Sequence, residues 1–186
     1  MDKPAKGILK LPYSLDVSEI TKYVNSLTDV DWTRWRLRQT LPNHEHTYSI
    51  KALWVPLDVH LFSMSRIEKT EPYFTDLTKL LGDCTDFLKS YYDGEIFKII
   101  LVKLAPNSHI KPHEDVGSSL EDPHRVHIPI ITNPDIKFGC GETELYMEPG
   151  NLYEIDNQQK HYVINKTDQS RVHLIIDIIE KTHIQK

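Results

Sequence analysis

The chain has 186 residues, of which 39% are hydrophobic and 26% are charged, a composition typical of one soluble globular domain with a substantial core. Its formal net charge of −5 argues against general nucleic-acid binding, which requires a basic surface. The N-terminal residues lack the apolar core of a signal peptide, no apolar run approaches membrane-spanning length, and Cys84 and Cys140 have no paired spacing. We therefore expect a cytoplasmic protein with two free thiols and no membrane partner.

The N-terminal half mixes helical and strand patterns. Apolar residues at helical spacing predict a short helix in residues 16–26, and a rough alternation predicts a strand in residues 47–55. A longer amphipathic pattern predicts one helix over residues 74–92, weakened by Gly82 and ended by Asp93-Gly94.

Residues 32–39, WTRWRLRQ, interleave tryptophan and arginine. Aromatic and basic side chains in alternation are compatible with stacking on nucleic-acid bases. Alternating arginines more often form a solvated or ion-paired face, and one of them could instead hold a substrate carboxylate. Because the whole chain is acidic, we expect no nucleic-acid partner.

From Gly94 onward the sequence changes to short apolar segments separated by turn signals. About eight such segments follow one another with no helix between them. This pattern predicts an antiparallel double sheet or barrel. We therefore expect a mainly β protein in which N-terminal helices pack on a C-terminal jelly roll.

A candidate metal site begins at residues 113–115, an HxD pattern that places an imidazole and a carboxylate on one short segment. The pattern alone is weak, because it arises easily by chance in a chain with ten histidines. However, His161 opens a later predicted strand, and Arg171 follows it by ten residues. Two histidines and a carboxylate suit non-heme Fe(II) with open positions for a 2-oxo acid and oxygen, and an arginine suits the distal carboxylate of that acid. The order of these residues therefore predicts an iron oxygenase with a dicarboxylate co-substrate.

Two predicted strands, RVHIPI and RVHLIID, each carry an arginine and a histidine two positions apart. Side chains at i and i+2 of a strand share a face, so Arg125 lies beside His127, and Arg171 lies beside His173 and Asp177. Burying an unpaired guanidinium is costly. We therefore expect these faces to contact an anion or water.

These segments resemble the aspartyl/asparaginyl β-hydroxylase family of Fe(II)/2-oxoglutarate-dependent dioxygenases. The similarity is carried by LVKLAPNSHIKPHEDVG, HRVHIPI, MEPGNLYEIDNQQKHYVIN and RVHLIIDI, within roughly residues 96–179. It implies a double-stranded β-helix, a jelly roll of the cupin type, over residues 96–180. Residues 1–95 would support this core within a single dioxygenase domain of residues 1–186.

The resemblance also assigns the site. The iron ligands, which are the catalytic residues, are implied to be His113, Asp115 and His161. Arg171 is implied to bind the 5-carboxylate of 2-oxoglutarate, and Arg125 and His127 to point into the pocket near the co-substrate and substrate carboxylates. The role of His173 is left open.

Two positions depart from the family pattern. Some members have glycine where this chain has Asp115, so we expect iron binding here to depend less on the co-substrate. Vertebrate members have a serine that assists the 5-carboxylate near the place of Val102, so the co-substrate pocket is expected to differ in detail.

The implied reaction is hydroxylation of an amino acid, either an aspartyl- or asparaginyl-type residue in a peptide or a free amino acid. It needs Fe(II), 2-oxoglutarate and O2 and yields succinate and CO2. Two alternatives stay open. One is a cupin-like metal protein that acts as an isomerase or binds a small acid, and such a protein would not need Arg171. The other is a jelly-roll interaction module with a vestigial site, which would not need an intact ligand set. The sequence selects neither the substrate nor the oligomeric state.

Overall fold

A computed structural model of the chain describes residues 2–34, 46–55 and 62–184, without the side chains of residues 118 and 119. Within these ranges lie five α-helices: α1 (Ser18–Ser26), α2 (Asp29–Thr33), α3 (Tyr73–Leu81), α4 (Asp83–Tyr91) and α5 (Ser118–Glu121). The same described residues form eleven strands: β1 (Ile8–Ser14), β2 (Thr47–Trp54), β3 (Glu68–Lys69), β4 (Gly94–Leu104), β5 (Ser108–His113), β6 (His124–Ile131), β7 (Lys137–Cys140), β8 (Thr143–Leu145), β9 (Asn151–Ile155), β10 (His161–Asn165) and β11 (Arg171–Glu180). Single 3₁₀ turns are formed by Met64–Arg66 and Lys181–His183.

The strands form two antiparallel sheets. The larger sheet has the order β1-β9-β6-β11-β4-β2-β3, and the smaller sheet has the order β5-β10-β7-β8. From β4 onward, consecutive strands alternate between the sheets except for β7 and β8, which pair with each other within the smaller sheet. This arrangement is expected of a jelly roll. The predicted mainly β architecture with N-terminal helices is confirmed.

The larger sheet has an apolar core on each side. Helices α1, α3 and α4 pack on its outer face, where Val172, Leu174 and Ile176 of β11 join the main hydrophobic cluster. A second cluster, which includes Phe138 of β7 and Tyr153 of β9, lies between the two sheets. The alternate residues of β11 face this inner space, so the predicted division of the strand into two faces is confirmed.

The helix predicted over residues 74–92 is wrong in one respect, because it is broken at Gly82. This residue adopts φ 49° and ψ −129°, a conformation accessible to glycine and costly for other residues. Leu81 before the break and Cys84 after it are both fully buried. The apolar spacing thus continues across two helices that cover the same sheet.

The strand β1 was not foreseen. It contains Pro12 and pairs with β9 at the edge of the larger sheet, where a missing N–H is tolerated. Strand β2 likewise joins this sheet through β4, so the N-terminal half extends the sheet as well as covering it.

In the tryptophan- and arginine-rich stretch, residues 35–39 lie outside the described residues. Trp32 is buried, and the ammonium group of Lys103 lies 4.4 Å from the centre of its ring. Cys84 and Cys140 are buried free thiols, and burial raises the pKa of each to about 12. No helix in the described ranges is long and apolar enough to span a membrane.

Candidate metal centre

Three of the predicted site residues meet at one end of the smaller sheet. His113 ends β5 and His161 begins β10, and the two residues are register partners in the antiparallel pair. Asp115 follows β5 by two residues. One ligand atom from each residue lies within 4.8 Å of the other two. The two Nε2 atoms lie 3.9 Å and 4.0 Å from the Asp115 carboxylate oxygens.

Backbone carbonyls orient both imidazoles. Nδ1 of His113 lies 2.8 Å from the carbonyl oxygen of Lys111, and Nδ1 of His161 lies 3.0 Å from that of Gln159. A carbonyl only accepts, so each Nδ1 donates and Nε2 is the nitrogen that carries a lone pair toward the cluster. Burial lowers the pKa of His161, against the opposing effect of Asp115, and so favours the neutral, ligating form.

The carboxylate of Asp115 is held from two directions. Nη1 of Arg125 donates to its Oδ2, and Nδ2 of Asn157 donates to the same oxygen at 3.3 Å. The backbone N–H of Asp115 also donates to the carbonyl of Asn157 at 2.9 Å. Two imidazoles and an oriented carboxylate are the donor set of non-heme Fe(II) sites, and metal ligands usually have such hydrogen-bonded support. The residues therefore fit a divalent iron ion.

Arg125 is bound mainly to a buried carboxylate on the neighbouring strand. Its Nε and Nη2 each donate at 2.8 Å to one oxygen of Asp177, which is 1% exposed. Nζ of Lys98 lies 3.4 Å from the same carboxylate. Burial alone would raise the pKa of Asp177, but Arg125 and Lys98 hold it below its ordinary value.

Arg171 lies at the start of β11 with two histidines beside it. Its Nη2 is 2.6 Å from Nδ1 of His173, and its guanidinium carbon is 5.5 Å from the centre of the Phe138 ring. The Nδ1 atoms of His127 and His173 lie 3.5 Å apart. Burial, reinforced by the charge of Arg171, holds the pKa of both histidines well below the ordinary value, so both are neutral. Their Nε2 atoms have no hydrogen-bond partner among the described residues.

One small cavity, about 30 Å³ in volume, is shared by the candidate metal ligands and Arg171. Its walls include the three candidate ligands and all three predicted pocket residues, Arg125, His127 and Arg171. Apolar side chains complete the walls, among them Val102 of β4. The predicted site residues are thus brought together at one cavity, and their roles toward iron and 2-oxoglutarate stay predictions.

The sequence did not point to Asn157, Lys98 or Lys3. Lys3 Nζ lies 3.0 Å from Oδ1 of Asn157 and also donates to the carbonyl of Glu121. The N-terminal segment therefore contacts the asparagine that donates a hydrogen bond to Asp115. These contacts join segments far apart in the chain, and residue type and spacing contain no signal for them.

Comparisons with known proteins identify a family and a shared fold. A family model described as aspartyl/asparaginyl beta-hydroxylase matches residues 18–181. No curated protein matches the chain significantly. Among solved structures, a 2OG-Fe(II) oxygenase family oxidoreductase from Burkholderia pseudomallei superposes with a TM-score of 0.64 at 16% identity, covering 97% of this chain and 88% of that one.

Two further structures are similar over nearly the whole chain. HygX from Streptomyces hygroscopicus, with nickel and 2-oxoglutarate bound, has a TM-score of 0.58 and 14% identity, covering 95% of this chain and 84% of its own. The viral collagen prolyl hydroxylase of Paramecium bursaria Chlorella virus-1, in complex with 2-oxoglutarate, has a TM-score of 0.53 and 10% identity, covering 94% and 96%. At these identities the structures establish the shared fold. The family match spans most of the residues, and the chain belongs to the aspartyl/asparaginyl β-hydroxylase family of Fe(II)/2-oxoglutarate-dependent dioxygenases.

Proposed function

We propose that this dioxygenase hydroxylates an amino acid, either free or as an aspartyl- or asparaginyl-type residue of a peptide. The observation that carries the proposal is the position of two unlike groups on one cavity, the cluster of His113, Asp115 and His161 and the buried guanidinium of Arg171. A dicarboxylate that chelates a metal at one end needs a cation for its other end.

In this proposal His113, Asp115 and His161 hold Fe(II). When bound, iron supplies the redox chemistry that couples conversion of 2-oxoglutarate and O2 into succinate and CO2 with hydroxylation of a C–H bond. The chain's own residues bind and orient the reactants. Two of the similar structures hold 2-oxoglutarate, which supports the same co-substrate here.

Arg171 receives the distal carboxylate of 2-oxoglutarate as a bidentate partner. His173 accepts a hydrogen bond from Arg171 and so fixes the guanidinium in the wall of the cavity. The neutral imidazole of His127 lies on the same wall and is available to the carboxylates of the co-substrate or substrate. Val102, Phe138 and Ile175 line the walls between these polar groups and exclude water from them.

The charge of the site supports an acid-bearing substrate. Among the described residues in and behind the cavity, the cations Lys98, Arg125 and Arg171 outnumber the carboxylates Asp115 and Asp177. A divalent ion adds to this excess of positive charge. The two carboxylates of 2-oxoglutarate and the side-chain carboxylate of an aspartyl residue would together balance it.

The proposal is tested on anaerobic protein supplied with Fe(II) and 2-oxoglutarate. We expect the weak visible charge-transfer band of a chelated 2-oxo acid, and free amino acids and Asp- or Asn-containing peptides are then screened for stimulated succinate release. His113→Ala should abolish metal binding, and Arg171→Ala should weaken 2-oxoglutarate binding while the metal still binds. A protein that binds the metal and shows no response to 2-oxoglutarate would instead be a cupin-like binder of small acids.

A further inference from the structure

A row of three charged side chains crosses the inner face of the larger sheet. Asp177 of β11 is the register partner of Arg125 on β6 and of Lys98 on β4, so the three residues occupy adjacent strands. Their exposures are 1%, 8% and 4%, respectively. The row is neither on the surface nor part of the apolar core.

Arg125 connects this row to the candidate metal centre. One edge of its guanidinium, formed by Nε and Nη2, donates to both oxygens of Asp177. The remaining terminal nitrogen, Nη1, donates to Oδ2 of Asp115. A guanidinium is planar and rigid, so the bidentate pair with Asp177 also fixes the direction of Nη1. Arg125 thereby links the larger sheet to a carboxylate that follows a strand of the smaller sheet.

Stability alone does not account for the row. Buried ion pairs are often no more stabilising than well-packed apolar residues of similar volume. Asp115, in contrast, needs external support because it lies in a loop beyond the end of β5. The side chains of Arg125 and Asn157 both donate to Oδ2 of this carboxylate, while Oδ1 lies 3.9 Å from Nε2 of His113.

We propose that Arg125, held by Asp177, is a positioning residue that sets the orientation of the Asp115 carboxylate and thereby the affinity of the metal centre. The inference rests on the proposed function, because it takes His113, Asp115 and His161 as the ligands. It gives Arg125 a task beyond the predicted contact with co-substrate, and it gives Asp177 and the inner face of β11 a part in metal binding.

Two substitutions test whether Arg125 acts on Asp115 through its fixed orientation or only through its positive charge. Asp177→Asn leaves a single acceptor oxygen opposite the two donors of Arg125, so the guanidinium loses its bidentate partner. Arg125→Lys keeps the positive charge but replaces the rigid fork with a single ammonium group. Loss of support behind a metal ligand typically lowers metal affinity roughly 10- to 100-fold, and we expect a loss of that size in both variants.

Glu154→Gln is the matched control. Glu154 is a buried carboxylate of the same sheet on the opposite face, where its Oε1 lies 2.6 Å from Nδ1 of His124. It therefore tests the loss of a buried carboxylate without any contact to Asp115.

The measurements are Mn(II) affinity by calorimetry without 2-oxoglutarate, and the visible absorption of Co(II)-substituted protein, which reports ligand arrangement independently of turnover. Weaker Mn(II) binding and a changed Co(II) spectrum in Asp177→Asn and Arg125→Lys, with a wild-type result for Glu154→Gln, would support the inference.

If Asp177→Asn does not fold, the result for Arg125→Lys decides. Wild-type affinity in the folded variants, or an equal loss in Glu154→Gln, would overturn the inference alone. Absence of Mn(II) binding by the wild-type protein would overturn the proposed function together with it.

Discussion

Arg171 donates a hydrogen bond from Nη2 to Nδ1 of His173 at 2.6 Å, on the inner face of β11. A guanidinium has no acceptor, so Nδ1 of His173 is the acceptor and its proton is on Nε2. The neutral state of His173 is therefore part of how the arginine is held. This contact gives a role to the one histidine of the RVHLIID strand that the sequence left without one.

Replacing His173 with leucine removes the acceptor, and we expect 2-oxoglutarate to bind about tenfold more weakly or worse. A hydrogen bond to a charged group contributes about 1.5–3 kcal/mol, and about 1.4 kcal/mol corresponds to a factor of ten in affinity. The measurement is anaerobic calorimetry of 2-oxoglutarate binding to Mn(II)-loaded protein. His173→Gln keeps an acceptor and is expected to lose less. Equal affinities in the leucine variant and the wild type would contradict the role assigned to this contact.

Asp115→Gly converts the ligand set to that found in some members of the family. We expect metal binding by the wild-type protein to be nearly independent of 2-oxoglutarate, because the three candidate ligands have ligand atoms within 4.8 Å of one another. The glycine variant should bind the metal much more weakly and recover affinity when 2-oxoglutarate is added. Mn(II) affinity with and without the co-substrate measures this difference, and the same co-substrate dependence in both proteins would show that Asp115 is not a ligand.

The elements that the sequence predicted best were those whose pattern is local. The alternation of β11 predicted both its apolar outer face and its polar inner face, because side chains at i and i+2 must share a side. The order of His113, Asp115, His161 and Arg171 likewise predicted a set of residues that the fold does bring to one cavity. The strand pattern is local, whereas the site residues spread over positions 113–171 were predicted from their order along the chain and from the family resemblance.

The features that were not predicted depend on partners distant in sequence. A glycine within an amphipathic pattern is compatible with both a continuous helix and the break that occurs at Gly82. The two residues that hold the Asp115 carboxylate, Arg125 and Asn157, are 10 and 42 positions away from it. The alternating pattern assigned Arg125 to a face, and only the register of β6 against β11 shows that it faces Asp177.

The buried histidines predict that stability falls in mild acid. The pKa values of His127 and His173 lie well below 6.5 in the folded protein, because burial and the charge of Arg171 oppose protonation. The unfolded chain therefore binds more protons as the pH falls below about 6.5, and the free energy of unfolding decreases. Each such histidine contributes a slope of up to about 1.4 kcal/mol per pH unit between the unfolded and folded pKa values.

Urea unfolding of metal-free protein at pH 7.5, 6.5 and 5.5 measures this slope. His173→Gln removes one of the titrating groups, so its free energy of unfolding should fall less steeply with decreasing pH than that of the wild type. Comparison of the two proteins cancels the titration of His161, whose pKa is also lowered by burial and which both retain. If the two slopes coincide between pH 6.5 and pH 5.5, His173 takes up its proton in the folded protein as readily as in the unfolded chain. A histidine protonated in this way at pH 5.5 could not accept the hydrogen bond from Arg171.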